Sequence, residues 1–480
     1  MIEYANKAST STGAPGASPP HYRMGFLWSV CLVAAMGGLL FGYDWVVIGG
    51  AKPFFIRYFN LENNAGLVGW AMSSALVGCM IGAVLSGLLS DKLGRKRLLI
   101  VSGVFFTVSA VGTAVAGSLQ VFVWYRLLGG LGIGLASNLS PMYIGELSPS
   151  EMRGRFVSIN QLTIVIGVLL AQVVNWAIAW NMPADFTEEQ ILQSWYGQTG
   201  WRWMFGAEAV PAALFFGLMF FVPESPRWLV KNGRFDVAER ILGRLGGEAY
   251  GRRAVEDIRR TLSQQEIARV RFRDLTEPRL ARVIFIGVVL AALQQWCGIN
   301  VIFYYAEDVF KAAGYTVSST MLNILYTGAI NLAFTFVAIY TVDWLGRKPL
   351  MLIGTGGLTL LYALIGASYF FEIKGLHMLV LLLAAIAFYA FTLAPITWVL
   401  LAELFPNRIR GAAMSISVFT LWVTCWALAQ AFPIMNAGLG AAGSFWIFGA
   451  ICLAGFVYIL KVLPETRGKS LEQIERELVD

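Results

Sequence analysis

Long apolar runs of about 20 residues, separated by short polar connectors, fill the chain between residues 24 and 463. At a rise of 1.5 Å per residue, such a run spans about 30 Å as a helix, the thickness of bilayer hydrocarbon. The pattern predicts spanning helices near 24–50, 66–89, 98–117, 121–146, 157–180 and 202–222. A second set falls near 282–305, 320–342, 350–371, 377–402, 411–432 and 444–463. Residues 1–22, rich in Ser, Thr, Ala, Gly and Pro, read as a disordered tail. The first apolar run is too long for the core of a signal peptide. One polar block, 223–281, is dense in Arg with interleaved acids, and its stretches 234–244 and 252–273 read as amphipathic helices with no catalysis in them. The chain thus divides into a tail (1–22), a six-helix bundle (23–222), an intracellular helical segment (223–281), a second six-helix bundle (282–463) and a C-terminal tail (464–480).

Composition agrees with a lipid solvent. Charged residues are 14% of the 480 positions, against about 25% in an ordinary soluble domain, and the hydrophobic set is 57%. The net charge of +7 would suit nucleic acid, but its placement marks topology instead. With both termini inside, the cytoplasmic connectors carry Lys92, Arg95, Lys96, Arg97, Arg153, Arg155, Arg347, Lys348, Arg408 and Arg410, while the outer ones carry only Lys52, Arg57, Lys311 and Lys374. An excess of Lys and Arg marks the cytoplasmic side. Cys31, Cys79, Cys297, Cys425 and Cys452 lie within apolar runs, which argues for packing rather than disulfides. His21 and His377 lack a second ligand at metal spacing, so no metal site is expected.

The two halves repeat short motifs in the same order, the sign of a six-plus-six duplication. Asp91-Lys-Leu-Gly94-Arg95-Lys96 recurs as Asp343-Trp-Leu-Gly346-Arg347-Lys348. Glu146-Leu-Ser-Pro149-Ser-Glu-Met-Arg153-Gly154 recurs as Glu403-Leu-Phe-Pro406-Asn-Arg-Ile-Arg410-Gly411, and Pro223-Glu224-Ser is echoed by Pro464-Glu465-Thr. These motifs, with Gly87…Asp91…Gly94-Arg95-Lys-Arg97, Pro223-Glu-Ser-Pro-Arg227 and Pro464-Glu-Thr-Arg-Gly-Lys-Ser, resemble the signatures of the sugar porters of the major facilitator superfamily. Within that family the chain is most similar to the bacterial proton-coupled, xylose-type symporters. The resemblance covers residues 24–475. It implies an all-α membrane fold of twelve helices in two parallel halves with a substrate site near the midplane, working by alternating access in a bacterial inner membrane.

Ionisable groups inside spanning helices are costly and signal function. Asp44, Arg126 and Glu208 come from three helices of the first half at a similar depth. Arg keeps its charge, so two acids sharing one Arg make binding and release of a proton the natural chemistry of the cluster. The resemblance implies the same, with Asp44 as proton carrier paired with Arg126. A static structural ion pair is the alternative. At the cytoplasmic ends, Arg95, Glu146, Arg153, Glu224, Arg347, Glu403 and Arg410 are read as a gate. Glu146 with Arg153, Glu403 with Arg410, and Arg95 or Arg347 with a neighbour's acid would latch the halves together; plain topology charge is the alternative.

The seventh helix contains Gln294-Gln295-Trp-Cys-Gly298-Ile-Asn300-Val-Ile-Phe-Tyr304. On a regular helix Gln294 and Asn300 point about 240° apart, so both face one cavity only if the helix unwinds, and Gly298 is where it can. Gln161, Asn331, Trp398 and Trp422 add an amide or indole from the fifth, eighth, tenth and eleventh helices. Uncharged amides and aromatic rings suit a neutral polyhydroxylated ligand, and the resemblance makes Gln161, Gln294, Gln295, Asn300, Tyr304, Asn331, Trp398 and Trp422 a monosaccharide site. Hydrogen bonding between helices is the alternative for one or two of them. Val168 and Ala394-Pro395 depart from the family pattern and leave the sugar open.

Gly468-Lys469-Ser470 is not a phosphate-binding loop, because position 463 is Leu. Gly129, Gly130, Gly132 and Gly134 lie inside a spanning helix and point to close helix packing. No catalytic constellation and no cofactor are expected. The expected partners are a monosaccharide, protons and the bilayer, for a monomer without nucleic acid. The expected function is a proton-coupled monosaccharide symporter, with a facilitative uniporter or a transporter-like sugar receptor as alternatives.

Overall fold

A computed structural model describes residues 22–149, 151–183, 186–267, 277–405 and 409–467. Most of the expected tails, the end of the polar segment and the side chain of Arg410 lie outside the described residues. Among the described residues every regular element is helical. We number the spanning helices α1 to α12. The first half comprises α1 (Met24–Tyr58), α2 (Ala65–Leu93), α3 (Arg95–Ala114), α4 (Leu119–Leu147), α5 (Arg153–Ala179) and α6, which is split into Trp201–Gly206 and Ala209–Leu218. In the second half α7 is Pro278–Trp296 followed by Ile299–Tyr304, α8 is Val317–Leu345, α9 is Arg347–Phe370 and α10 is Leu376–Phe391 followed by Leu393–Leu404. The stretch Arg410–Val462 turns at Gly440 (φ 67°, ψ 179°) and supplies α11 and α12 as its two arms. Ten stretches are individually long and apolar enough to cross a membrane. The split α6 and the two arms around Gly440 bring the crossings to twelve. Between the halves lie the helices Pro226–Lys231, Phe235–Gly246 and Glu248–Ile267, in the polar segment where helices were expected.

Helix α1 runs eight residues past its expected end near 50. Lys52 and Arg57 interrupt the apolar pattern, but both are buried against acids of the second half, so the helix continues through Phe54, Phe55 and Ile56. Asp44 therefore sits near the middle of α1 rather than near its end.

Small residues bring α2 and α4 together. A Cβ placed on Gly130 would lie 2.9 Å from the Gly78 Cα, and one on Gly82 would lie 3.0 Å from the Gly134 Cα. Only hydrogen side chains allow that approach, so the glycines of the fourth helix serve packing, as their place in a span implied. Within the first half α1 packs on α5, and α4 on α2 and α3. Between the halves α2 meets the α11–α12 stretch and α5 meets α8.

The duplication is visible in the backbone. Gly94 (φ 90°) joins α2 to α3, and Gly346 (φ 94°) joins α8 to α9, both in a region that strains any residue with a Cβ. By alternation of the spans, α2, α4, α6, α8 and α10 end on one face, whose connecting sequence is rich in Lys and Arg, and α1, α3, α5, α7 and α9 end on the opposite face.

Candidate functional site

The α7 break forms at Gly298, which adopts the left-handed conformation (φ 86°, ψ −9°). Beyond it the chain restarts at Ile299 and carries Asn300 round to the amides of the first segment. Asn300 Nδ2 donates to Gln295 Oε1 at 2.5 Å, Gln295 Nε2 donates to Gln294 Oε1 at 3.0 Å, and Gln294 Nε2 donates to the Ala394 carbonyl at 3.3 Å. That carbonyl sits at the break of α10, just after Thr392 (φ −122°, ψ −90°) and before Pro395. Two broken helices thus meet through one line of amides. Irregular backbone at membrane depth is tolerated where it lines a cavity or is buried in protein.

Aromatic side chains surround the amides. Tyr304 packs edge-on against Trp45 of α1 with ring centroids 5.2 Å apart, and its hydroxyl lies 4.0 Å from Cys425 Sγ on α11. Trp422 lies 5.7 Å from Phe41 of α1, and its buried Nε1 has no hydrogen-bond partner. Trp398, on the second segment of α10, keeps 36% of its surface accessible, while Asn331 on α8 is buried and Gln161 on α5 is half-buried. Among the described residues, no hydrogen bond joins Gln161, Asn331 or Trp398 to the α7 amides; they stand on α5, α8 and α10. Trp45 and Phe41 escaped the sequence reading, since one aromatic in an apolar helix carries no signal above core packing.

The three intramembrane charges converge. Arg126 of α4 donates to Asp44 Oδ1 and, at 3.3 Å, to the Asp44 carbonyl. Both side chains are buried, at 1% and 2% exposure, so removal of one partner would strand a charge at about 3–5 kcal/mol. Asp44 Oδ2 and Glu208 Oε1 are buried without hydrogen-bond partners. Glu208 lies at the break between the two segments of α6, within electrostatic reach of both Asp44 and Arg126. Gly129 makes room for the pair: a Cβ there would lie 2.7 Å from Asp44 Oδ2. A cavity of about 10 Å³, lined by Arg126, Trp45, Ile48, Met72 and Tyr304 among others, lies between this cluster and the second half.

At the basic face the charges are arranged differently from the latch expected between halves. Arg95 Nη2 reaches Glu146 Oε1 at 2.9 Å, and the Ser225 hydroxyl donates to the other Glu146 oxygen at 2.5 Å. Arg347 Nη2 reaches Glu403 Oε1 at 2.9 Å, and the Thr466 hydroxyl donates to Glu403 Oε2 at 2.6 Å. Among the described residues each cluster joins one half to the segment that directly follows it in sequence. Glu146 takes Arg95 rather than Arg153, which is exposed on the first turn of α5; Arg410, the expected partner of Glu403, has no described side chain. Glu224 accepts the backbone N–H groups of Arg95 and Lys96, both at 3.0 Å, and Glu465 accepts those of Arg347 and Lys348 at 3.0 and 3.1 Å. These two acids satisfy the free donors at the starts of α3 and α9, where the helix dipole favours a carboxylate.

On the opposite face the charges do cross between halves. Lys52 Nζ lies 3.1 Å from Glu307 and 2.9 Å from Asp308, and Arg57 Nη1 lies 3.1 Å from the other Glu307 oxygen. Deeper in, Ser73 donates to Gln430 at 3.1 Å and Gln172 to Thr327 at 3.2 Å. From the sequence alone Lys52 and Arg57 are only charges of the outer loops. The unusual Lys at 52 and Arg at 57, inside an apolar stretch, were the available signal.

A family model described as "Sugar (and other) transporter" matches residues 30–478. This chain belongs to that family. The transporter is 39% identical over 488 residues to the D-xylose-proton symporter of Escherichia coli (strain K12), an alignment that covers 95% of this chain and 96% of the relative. It is 35% identical over 456 residues to the arabinose-proton symporter of Bacillus subtilis (strain 168), with 95% and 96% covered. Its fold matches the inward-open conformation of the E. coli xylose transporter at a TM-score of 0.82, with 37% identity over 94% of this chain and all of the other. The major facilitator architecture read from the motifs is therefore the fold of this transporter.

Proposed function

We propose that the transporter is a proton-coupled monosaccharide symporter working by alternating access. The observation that carries this reading is the buried cluster of Asp44, Arg126 and Glu208, in which Arg126 engages Asp44 directly. One fixed cation between two desolvated acids suits a site that exchanges a proton as its surroundings change. The relatives named as proton symporters of xylose and arabinose support the same chemistry and the same substrate class. The sugar sits among Gln161, Gln294, Gln295, Asn300, Tyr304, Asn331, Trp398 and Trp422. Its hydroxyls bridge amides that now lie on separate helices, and the indoles cover its C–H face. The ionic groups stay one helix away, where their field acts on the cycle and not on the sugar.

The basic face is the cytoplasmic side, by the Lys/Arg excess there, so both termini lie inside and the protein crosses a bacterial inner membrane as a monomer. The cross-half contacts on the opposite face then close the outside, and the fold is that of an inward-facing state, in keeping with its likeness to an inward-open relative. In the outward-facing state the clusters at Arg95, Glu146, Arg153 and Glu224, and at Arg347, Glu403 and Arg410, approach one another and gate the inside.

The test is uptake into proteoliposomes of a panel of pentoses, hexoses and inositol, with and without a pH gradient. Accumulation of one of these sugars that rises with an inward proton gradient is the expected result. Equilibration of sugar with no response to pH or membrane potential would replace this reading with a facilitative uniporter.

A further inference from the structure

The charged contacts of the two faces differ in kind. At the basic face the ion pairs of the described residues join groups of one half, whereas at the opposite face Glu307 of the second half is held by two cations of the first. Glu307 stands on the short helix Ala306–Ala312 that continues from the broken end of α7. One of its oxygens takes Lys52 and the other takes Arg57, and all three residues are buried, at 6%, 4% and 7% exposure. Around this core, Asp308 takes the second contact of Lys52 at 2.9 Å. Glu188 bridges Arg57 at 3.5 Å and Lys311 at 2.7 Å, and Glu62 meets Arg57 Nε at 3.4 Å from the rim. The Lys52 ammonium also lies 5.9 Å from the centre of the Tyr305 ring.

Resting on the alternating-access reading above, we propose that Glu307 is the keystone of an electrostatic outer gate, which holds the halves together on the outside through Lys52 and Arg57 and thereby sets the balance between inward- and outward-facing states. When the Glu307 carboxylate is lost, Arg57 keeps only the exposed acids of its own half, Glu62 and Glu188, and Lys52 keeps only the partly exposed Asp308, so two buried cations lose their one buried counter-charge. Separation of the halves lets water reach both cations, so the loss drives opening rather than collapse. The gate sits next to the segment that bears Asn300 and Tyr304, so opening it also moves one wall of the proposed sugar site. Glu307 positions that wall and does not touch the sugar.

The experiment uses the purified full-length transporter carrying Ser73→Cys. Ser73 is fully buried in the outer contact between α2 and α11, where its hydroxyl reaches Gln430. The five native cysteines are buried, and their labelling is subtracted with the parent protein. The labelling rate with a polar maleimide then reports opening of the outer face. Glu307→Gln is expected to raise that rate about tenfold. Lys52→Gln is expected to raise it about threefold, because Arg57 still engages Glu307. Glu62→Gln, at the exposed rim, is expected to leave it unchanged. Glu307→Asp should return the rate toward that of the parent, which a purely structural role for the side chain would not require. An unchanged rate in a Glu307→Gln protein that still binds sugar would overturn the gate. Should that variant not fold, an unchanged rate in Lys52→Gln overturns it instead. The assay needs no gradient, so a wild type indifferent to pH would sink the symport reading while leaving the gate measurable.

Discussion

Arg126 of α4 engages one carboxylate oxygen of Asp44 on α1 and leaves the other, Oδ2, buried without a partner beside Gly129. The pair is half satisfied, and Glu208 stands close enough to feel both charges. A buried acid with one oxygen held by a fixed cation and the other not held by protein is the arrangement on which the proposed proton exchange rests.

Asp44→Asn keeps the shape and removes the titrating group. The variant is expected to bind sugar and to exchange it across the membrane, yet not to concentrate it. A proton falling through 100 mV supplies about 2.3 kcal/mol, or about 50-fold accumulation of a neutral sugar. In the variant the accumulation ratio should fall to about one, with no proton movement on sugar addition. Glu208→Gln should lower the ratio less. Uphill uptake that persists in Asp44→Asn would remove Asp44 from coupling.

Gln294 bridges the line of α7 amides to the broken α10. Gln294→Ala should weaken sugar binding by about 5- to 150-fold, equivalent to about 1–3 kcal/mol for hydrogen bonds lost to a buried group. Calorimetry on the folded variant checks it. Full affinity for every transported sugar would exclude Gln294 from the site.

Arg95 and Glu146 brace the end of α3 to α4 and to Ser225. Arg95→Ala should cost about 1.5–3 kcal/mol, since a charge-assisted contact in a largely buried setting is lost. Lys231→Ala removes an exposed partner of Asp91 and should cost no more than about 1 kcal/mol. Thermal unfolding in one detergent ranks the two, and equal losses would show that the Arg95 cluster braces nothing.

The outer contacts should also respond to acid. The hydrogen bond and charge of Lys311, with the charge of Arg57, hold the Glu188 carboxyl below its ordinary value of 4.5. Burial alone would raise Glu307, but Lys52 and Arg57 outweigh it and hold that carboxyl low as well. Carboxylates with lowered values favour the closed face fully above about pH 4.5, and that contribution is lost as pH falls through the closed-state values. Labelling of Ser73→Cys, normalised to Asn63→Cys at the exposed rim, should be level between about pH 6 and 8 and rise below about 4.5. A ratio that is flat across the acid range would show that these acids do not hold the face shut.

The order of twelve crossings, the duplication and the three intramembrane charges were legible in the sequence. Each rests on a local signal: the length of an apolar run, a motif read twice, or an ionisable residue where lipid forbids one. Even the α7 break could be read, because Gly298 stands between two amides that a regular helix would turn apart. Partner choice could not. Arg95 has acids nearby in several connectors, and packing of α3 on α4 selected Glu146 of its own half. Lys52 and Glu307 are 255 positions apart, and nothing along the chain relates them until α1 and the extension of α7 meet. Hydropathy is a property of a segment, so the sequence alone determined which segments cross the membrane. An ion pair depends on where two side chains end, so which charges lock the halves and which brace a single half was decided only by the tertiary structure.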